Sequence, residues 1–292
     1  AKGFTDGFVR AVGTTADVHP NNTLTLLNVS GRRALSWVDP EPLSLERQLL
    51  KPLLGTDPIE MGAHAVLDQM LAELNEDFKY RQLLGALEAD ELELDLLASS
   101  IAAFVETLAS YDAPYDRYLA GDSAAISDAA KRGEILFFSE RTSCSSCHGG
   151  ADFDQPAYNR HGWFNTGLYS IELGFYPKFR QGLYELSGQR ADIGRFRIPT
   201  LRHLALTKPY YHDGSGASLA DVLRNYNEGG RIISSGPYIG DGRTNPNKDS
   251  RIRPLGLSDT ELDALEAFLL ALTDLTVAHR TRWADPWTRN RD

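Results

Sequence analysis

The sequence predicts a mainly α fold with long loops, on three observations. Five segments repeat apolar residues at a helical period, strand-like alternation is scarce, and the stretch from Gly149 to Pro199 has little periodicity. The first helix is expected over residues 61–74 (MGAHAVLDQMLAEL), the second over 90–109 (DELELDLLASSIAAFVETLA) and the third over 124–138. The fourth, 218–227 (SLADVLRNYN), starts at Ser218 with Asp221 as a weak capping partner and stops at Gly229-Gly230. The fifth, 258–273 (SDTELDALEAFLLALT), opens on Ser258 and Glu261, a capping box in which each side chain satisfies the other residue's backbone N–H. Residues 149–199 are rich in Gly, Tyr, Phe, Asn and Asp, which reads as an ordered functional loop rather than a linker.

The chain has 292 residues, and 30 Lys+Arg against 40 Asp+Glu leave a net charge of −10, which argues against nucleic acid as the main partner. A hydrophobic share of 42% is enough for one large core or two smaller ones. No apolar run approaches the ~18 residues a spanning helix needs. The opening AKGFTDGF lacks the pattern of a signal peptide, so any export signal is expected to have been removed already. The Asp/Pro/Tyr/Gly-rich YDAPYDRYLAGDSAA between Tyr111 and Ala125 separates an acidic helical half, residues 1–120, from residues 121–292.

Both cysteines fall in one motif, TSCSSCHGG, where Cys144 and Cys147 are followed directly by His148. Cys-x-x-Cys-His is the c-type haem attachment signature: two thiols add to the two vinyl groups of one porphyrin, and the adjacent imidazole binds the iron. A thioredoxin-like pair would sit in a βαβ pattern, which is missing, and a four-ligand zinc site would need more Cys or well-spaced His. Attachment of this kind implies maturation outside the bacterial cytoplasm, so a periplasmic location is expected. On the other side of the iron, Met61 and Met70 both precede Cys144, leaving His203, His212, His279, a tyrosine or water as downstream candidates.

The run RFRIPTLRHLALTKPYYHDGSGASLADVLRNYNEGG, from Arg195 to Gly230, resembles the C-terminal domain of the bacterial di-haem cytochrome c peroxidase family, and LSLERQLLKPLLGTDPIEMG resembles its N-terminal domain. The MauG-like branch is the nearest in pattern, and NTGLYS with GLYELSGQRADIGRFR is similar to di-haem peroxidases encoded beside methanobactin genes. The resemblance implies two cytochrome c-like haem domains. It makes His148 the proximal ligand of the C-terminal haem and Tyr226 its opposite ligand, where the peroxidases proper carry Met. It makes Glu60, in the IEMG block, the distal acid and base toward hydrogen peroxide, with Gln48 and Pro52 lining the same pocket. Trp37 falls where the family places an aromatic relay between haems. Asn22 matches a side-chain ligand to an inter-haem calcium, completed by carbonyls of Thr207 and Pro209. Arg202 and His212 are expected to support haem propionates or loops, and His19, His64 and His161 to be structural or surface residues. Trp163, Trp283 and Trp287 carry no role beyond surface hole transfer.

The family's other attachment motif lies just before a GFTDG-like segment, and this chain begins at Ala1-Lys2-Gly3-Phe4-Thr5, so the N-terminal domain is expected to lack that segment in this sequence, with one haem c attached here and a second expected upstream. The resemblance implies a peroxide-activated di-haem oxidase that oxidises Trp or Tyr side chains of a partner protein without direct contact with iron. The alternatives are a cytochrome c peroxidase drawing electrons from a small cytochrome, and a one-haem electron carrier.

Overall fold

The chain begins with a long irregular segment, and its first helix lies outside the five expected ones. The computed structural model describes residues 2–287 except 33, 42, 156–161, 172–175 and 179. Helix α1 (Leu45–Leu54) starts where the Ser44 hydroxyl accepts from the Arg47 N–H and contains Pro52. Proline withdraws one N–H from the ladder, and α1 ends two residues later with Gly55 N–H donating to the Lys51 carbonyl at 2.8 Å. Helices α2 (Leu67–Glu76) and α3 (Phe78–Ala86) follow, joined at Asp77, whose carboxylate caps α3 by accepting from the N–H groups of Lys79 and Tyr80. The apolar helix α4 (Leu94–Glu106) packs back on α1, and the short α5 (Pro114–Leu119) opens on a proline at its first position.

Helix α6 (Asp128–Phe137), the four-residue α7 (Tyr184–Ser187), α8 (Leu219–Asn227) and α9 (Asp259–Ala271) build the second half. Helices α6 and α9 pack closely against each other. A Cβ on Gly133 would sit 1.9 Å from the Ala264 carbonyl oxygen, so only glycine allows this approach. Around that crossing Phe137, Phe268, Tyr115 and Phe153 form a cluster of edge-to-face and tilted rings, with Phe268 fully buried. Among the described residues the strands are two-residue pieces. Strand β1 (Trp163–Phe164) pairs antiparallel with β2 (Phe196–Arg197), Trp163 opposite Arg197, and β3 (Ile232–Ile233) pairs with β4 (Gly240–Asp241). The β1–β2 pair closes the described part of the aperiodic loop; His161 lies outside the described residues.

Two further apolar clusters join residues from either side of residue 120. Trp37 packs with Leu168, Tyr169, Tyr176 and Phe196, and Leu27 and Leu108 pack with Val277 and Trp283. No helix among the described residues is long and apolar enough to cross a membrane.

Four predicted helices are found within a few residues of their expected ends, and the Ser258–Glu261 capping box forms as read, with Ser258 N–H donating to Glu261 Oε2 at 2.8 Å. The helix expected over 61–74 begins only at Leu67. Gly62 takes a left-handed φ of +73°, which ends the preceding loop in a 3₁₀ turn at Ala63–Ala65 and keeps Glu60 off the helix. Trp163 and Trp283 are buried, so neither can serve at the surface as expected; Trp287 alone of the three is exposed, at 40%.

Candidate haem site

Cys144 and Cys147 sit on a 3₁₀ turn (Cys144–Ser146) just after α6, entered through Ser143 in a left-handed conformation. The Cys144 carbonyl accepts from both Cys147 N–H (3.2 Å) and His148 N–H (2.9 Å), which curls the motif so that both thiols and the imidazole face one space. Both thiols are free, and burial raises their pKa, keeping them protonated. His148 Nδ1 lies 2.9 Å from the Phe153 carbonyl oxygen, which can only accept, so Nδ1 carries the proton and Nε2 keeps its lone pair. Burial lowers the imidazole pKa to about 4, so the ring is neutral at physiological pH, the state a metal requires.

These groups open on a cavity of about 240 Å³ walled by apolar side chains such as Phe137, Leu204, Leu265 and Leu269. Helix α8 brings Tyr226 to the same cavity from its last turn; burial raises the phenol pKa, while a hydrogen bond with Thr166 pulls the other way. The helix is held by its Ser218 cap and by Gly230 N–H donating to the Asn225 carbonyl at 2.9 Å, the stop expected at Gly229-Gly230. Of the downstream histidines among the described residues, only His212 lines the cavity, and its ring is stacked on Phe196 with centroids 3.5 Å apart. His203 is fully buried elsewhere, with Asp274 N–H donating to its Nδ1 at 3.4 Å.

Trp37, Asn22, Thr207 and Pro209 also line the cavity. Trp37 is buried, donates from Nε1 to the Asn22 carbonyl at 2.7 Å and meets His212 edge to face at 6.4 Å. The Asn22 amide N–H₂ is committed to the Phe8 and Val9 carbonyls, leaving its side-chain oxygen as the atom a cation would take. Arg202, expected to support propionates or loops, supports a loop: it donates from Nε to the Ala151 carbonyl at 2.7 Å, clasps Asp116 with two nitrogens at 2.9 and 2.8 Å, and does not line the cavity.

The buried cation that does line the cavity is Arg197, which sequence reasoning missed. Its Nε and Nη1 donate to the carbonyls of Ser36 (2.8 Å) and Ile198 (3.1 Å). Burial and the neighbouring Arg32 lower its pKa to about 10, so it stays charged at neutral pH. The one sequence signal was a charged residue between two core apolar residues in FRI. Two thiols, a neutral imidazole with its lone pair free, a phenol and a buried cation in an apolar chamber fit a covalently attached porphyrin with carboxylate side chains.

Glu60, Pro52 and Gln48 lie away from this cavity. Met61 N–H donates to the Pro52 carbonyl at 3.0 Å and Thr14 N–H to the Glu60 carbonyl at 2.7 Å, so the loop carrying Glu60 is tied both to α1 and to the N-terminal segment. Gln48 and Pro52 are one helical turn apart on the same face of α1. Burial raises the Glu60 carboxyl pKa, and its Oε1 lies 3.8 Å from His19 Nε2. His19, expected to be structural, therefore faces the candidate acid; Asn21 N–H donates to its Nδ1 at 3.1 Å, which places the ring proton on the Glu60 side.

Residues 1–124 match the family model for di-haem cytochrome c peroxidase of the MauG type. The cytochrome-c peroxidase IdrP1 of Denitromonas iodatirespirans is 31% identical over 94% of this chain and 74% of its own length. The methylamine utilization protein MauG of Methylorubrum extorquens is 30% identical over 92% of this chain and 69% of its own length. The crystal structure of a MauG-like protein associated with microbial copper homeostasis is 39% identical and superposes with a TM-score of 0.92, covering 98% of this chain and 85% of that one. A haem-attachment cavity, relatives this similar over nearly the whole chain and a shared fold lead to one conclusion: the chain belongs to the di-haem cytochrome c peroxidase and MauG family of oxidoreductases.

Proposed function

We propose that the protein is a peroxide-activated haem oxidase that removes electrons from Trp or Tyr side chains of a partner protein by long-range transfer, in the periplasm. The observation that carries this reading is Tyr226, a phenol and not a thioether, sharing one cavity with His148, Cys144 and Cys147. Cys144 and Cys147 would hold haem c, with His148 and Tyr226 on its two faces, and the group would supply one-electron redox chemistry. A hard oxygen donor favours the oxidised metal where Met would raise the potential, so the chain's ligand set suits storage of oxidising equivalents.

The other residues have complementary tasks in this reading. Glu60 accepts a proton from incoming peroxide and returns it to the departing oxygen, and a raised pKa brings that carboxyl nearer to neutral pH, where such exchange works best. Gln48 and Pro52 shape its surroundings. Trp37, buried against the cavity, passes electrons between the two redox regions. Asn22, with carbonyls of Thr207 and Pro209, holds a calcium ion beside the cavity. The division near residue 120 into a peroxide-handling part and a haem-storing part belongs to the same reading. In this reading the partner protein belongs to copper handling, which the association of a MauG-like structure with microbial copper homeostasis supports.

The relatives named cytochrome-c peroxidase support a second reading, in which electrons come from a small cytochrome. Mixing peroxide-treated holoprotein with a reduced small c-type cytochrome separates the two. The oxidase reading expects slow oxidation of the cytochrome, well behind the response of the haem itself. Oxidation of the cytochrome as fast as peroxide is added would replace that reading with the peroxidase one.

A further inference from the structure

Beside the haem cavity lies an aromatic group that the reading above does not use. Tyr169 and Asp213 are both buried, 44 residues apart in sequence, and the Tyr169 hydroxyl donates to Asp213 Oδ2. Tyr176, which lines the cavity, meets Tyr169 edge to face with centroids 5.5 Å apart, and Tyr238, half-buried before β4, meets the same ring at 5.6 Å. We propose that Tyr169, with Asp213 as its proton acceptor, is a one-electron redox site of this protein, fed from the haem cavity through Tyr176 and opening to the surface through Tyr238. The proposal rests on the peroxide-activated reading, which supplies the oxidant.

The surroundings of Tyr169 fit that task better than a merely structural one. The Arg231 guanidinium lies 4.7 Å from the Tyr169 ring centre, and a cation over the ring face disfavours positive charge on the ring. An electron can therefore leave only if the phenolic proton leaves with it, and the hydrogen-bonded carboxylate is placed to take it. Burial pushes the Asp213 carboxyl up, but the facing His212 and the hydrogen bonds from Tyr169 and Ser215 more than offset it, so Asp213 is ionised and ready to accept. Burial, with Asp213 behind it, raises the Tyr169 phenol to about 12, which keeps the proton on the oxygen at rest.

The step balances as follows. Hydrogen peroxide takes two electrons from the haem centre and two protons from solvent to become two waters. Tyr169 returns one electron to that centre, and its phenolic proton moves from Oη to Asp213 Oδ2, leaving a neutral phenoxyl radical beside a protonated carboxyl. An electron from an external donor, arriving by way of Tyr238, reduces the radical, and the proton moves back; a second round of the same steps returns the other electron to the centre. Trp37 lies in the same apolar cluster, so the site extends the relay outward from the cavity to the molecular surface.

The test is freeze-quench EPR of the holoprotein after one equivalent of peroxide, with the haem absorption followed in parallel. A radical signal that narrows when the protein is grown on ring-deuterated tyrosine is expected, and it needs no substitution. Tyr169→Phe should remove that signal. Asp213→Asn, which keeps the volume but cannot accept the proton, should slow its appearance about a hundredfold. A haem that responds to peroxide without a tyrosine-derived signal, or a signal of full intensity in Tyr169→Phe, overturns the site and leaves the oxidase reading standing. A haem that does not respond to peroxide at all overturns both.

Discussion

His148 and Glu60 are both half-buried groups whose pKa values burial has moved, yet they are held in opposite ways. The His148 ring is fixed by the Phe153 carbonyl at 2.9 Å and faces an apolar chamber whose walls include the α6–α9 core. Glu60 sits on a loop tied down by backbone hydrogen bonds, its side chain 35% exposed and 3.8 Å from His19. The first region is inseparable from the core, so disturbing it costs fold and cofactor together. The second is attached to the core through a few backbone contacts, so its side chain can change with little effect on folding. The roles proposed for them, an enclosed redox site and an accessible proton-handling site, make opposite demands on burial, and the two groups are separated in space.

The comparison breaks most completely with Cys147→Ser or His148→Ala. Each should abolish correctly bound haem, Cys147→Ser by removing one thioether link and His148→Ala by removing the axial nitrogen, read as loss of covalent haem on a denaturing gel or loss of the low-spin absorption. Phe268→Ala, at the centre of the aromatic cluster, should destabilise the protein by about 3–5 kcal/mol in a denaturant titration, because a fully buried ring leaves a cavity between α6 and α9. Glu60→Gln should leave the resting haem spectrum unchanged while slowing the peroxide response about a hundredfold in stopped flow. If instead Glu60→Gln melted the protein, the contrast between the two regions would be wrong.

A gentler test uses pH. Burial lowers both His203 and His212 to about 4, against an ordinary value of 6.5. The unfolded chain therefore binds protons first, so their contribution is fully present above pH 6.5 and is lost as pH falls toward 4. His203→Asn should flatten part of that slope in melts between pH 6.5 and 4, and asparagine tolerates the left-handed φ of +64° that His203 adopts. The smallest effect is expected from Ser218→Ala, which removes the cap of α8 and should cost about 1 kcal/mol while leaving Tyr226 in place.

Much of this was legible in the sequence, for reasons that differ by residue. Cys144, Cys147 and His148 are adjacent, so their chemistry can be read from spacing alone. Ser218 and Ser258 cap as read because capping is local. Helix α1 has a periodic apolar face but escapes the reading because Pro52 stands inside it as a helix breaker, and α3 because Gly85 and exposed apolar residues such as Phe78 and Leu83 blur its stripe. Gly62 shows the opposite error: apolar spacing runs on through residues where backbone conformation stops the helix. Arg197, held by the Ser36 carbonyl 161 positions away, the His19–Glu60 approach across 41 positions and the Tyr169–Asp213 pair across 44 depend on long-range juxtaposition, which no local pattern encodes. Arg202, read as a support for propionates or loops, holds the loop at Ala151 and pairs with Asp116.

The central claim is that Tyr226 faces His148 across a single haem. Spin-quantified EPR of the ferric holoprotein, with and without Tyr226→Phe, tests it most directly. The account predicts one low-spin and one high-spin signal in equal amounts, with the low-spin signal lost or shifted in Tyr226→Phe and the high-spin signal untouched. A low-spin signal that Tyr226→Phe leaves unmoved would contradict the ligand assignment, and a single low-spin signal per chain would contradict peroxide activation.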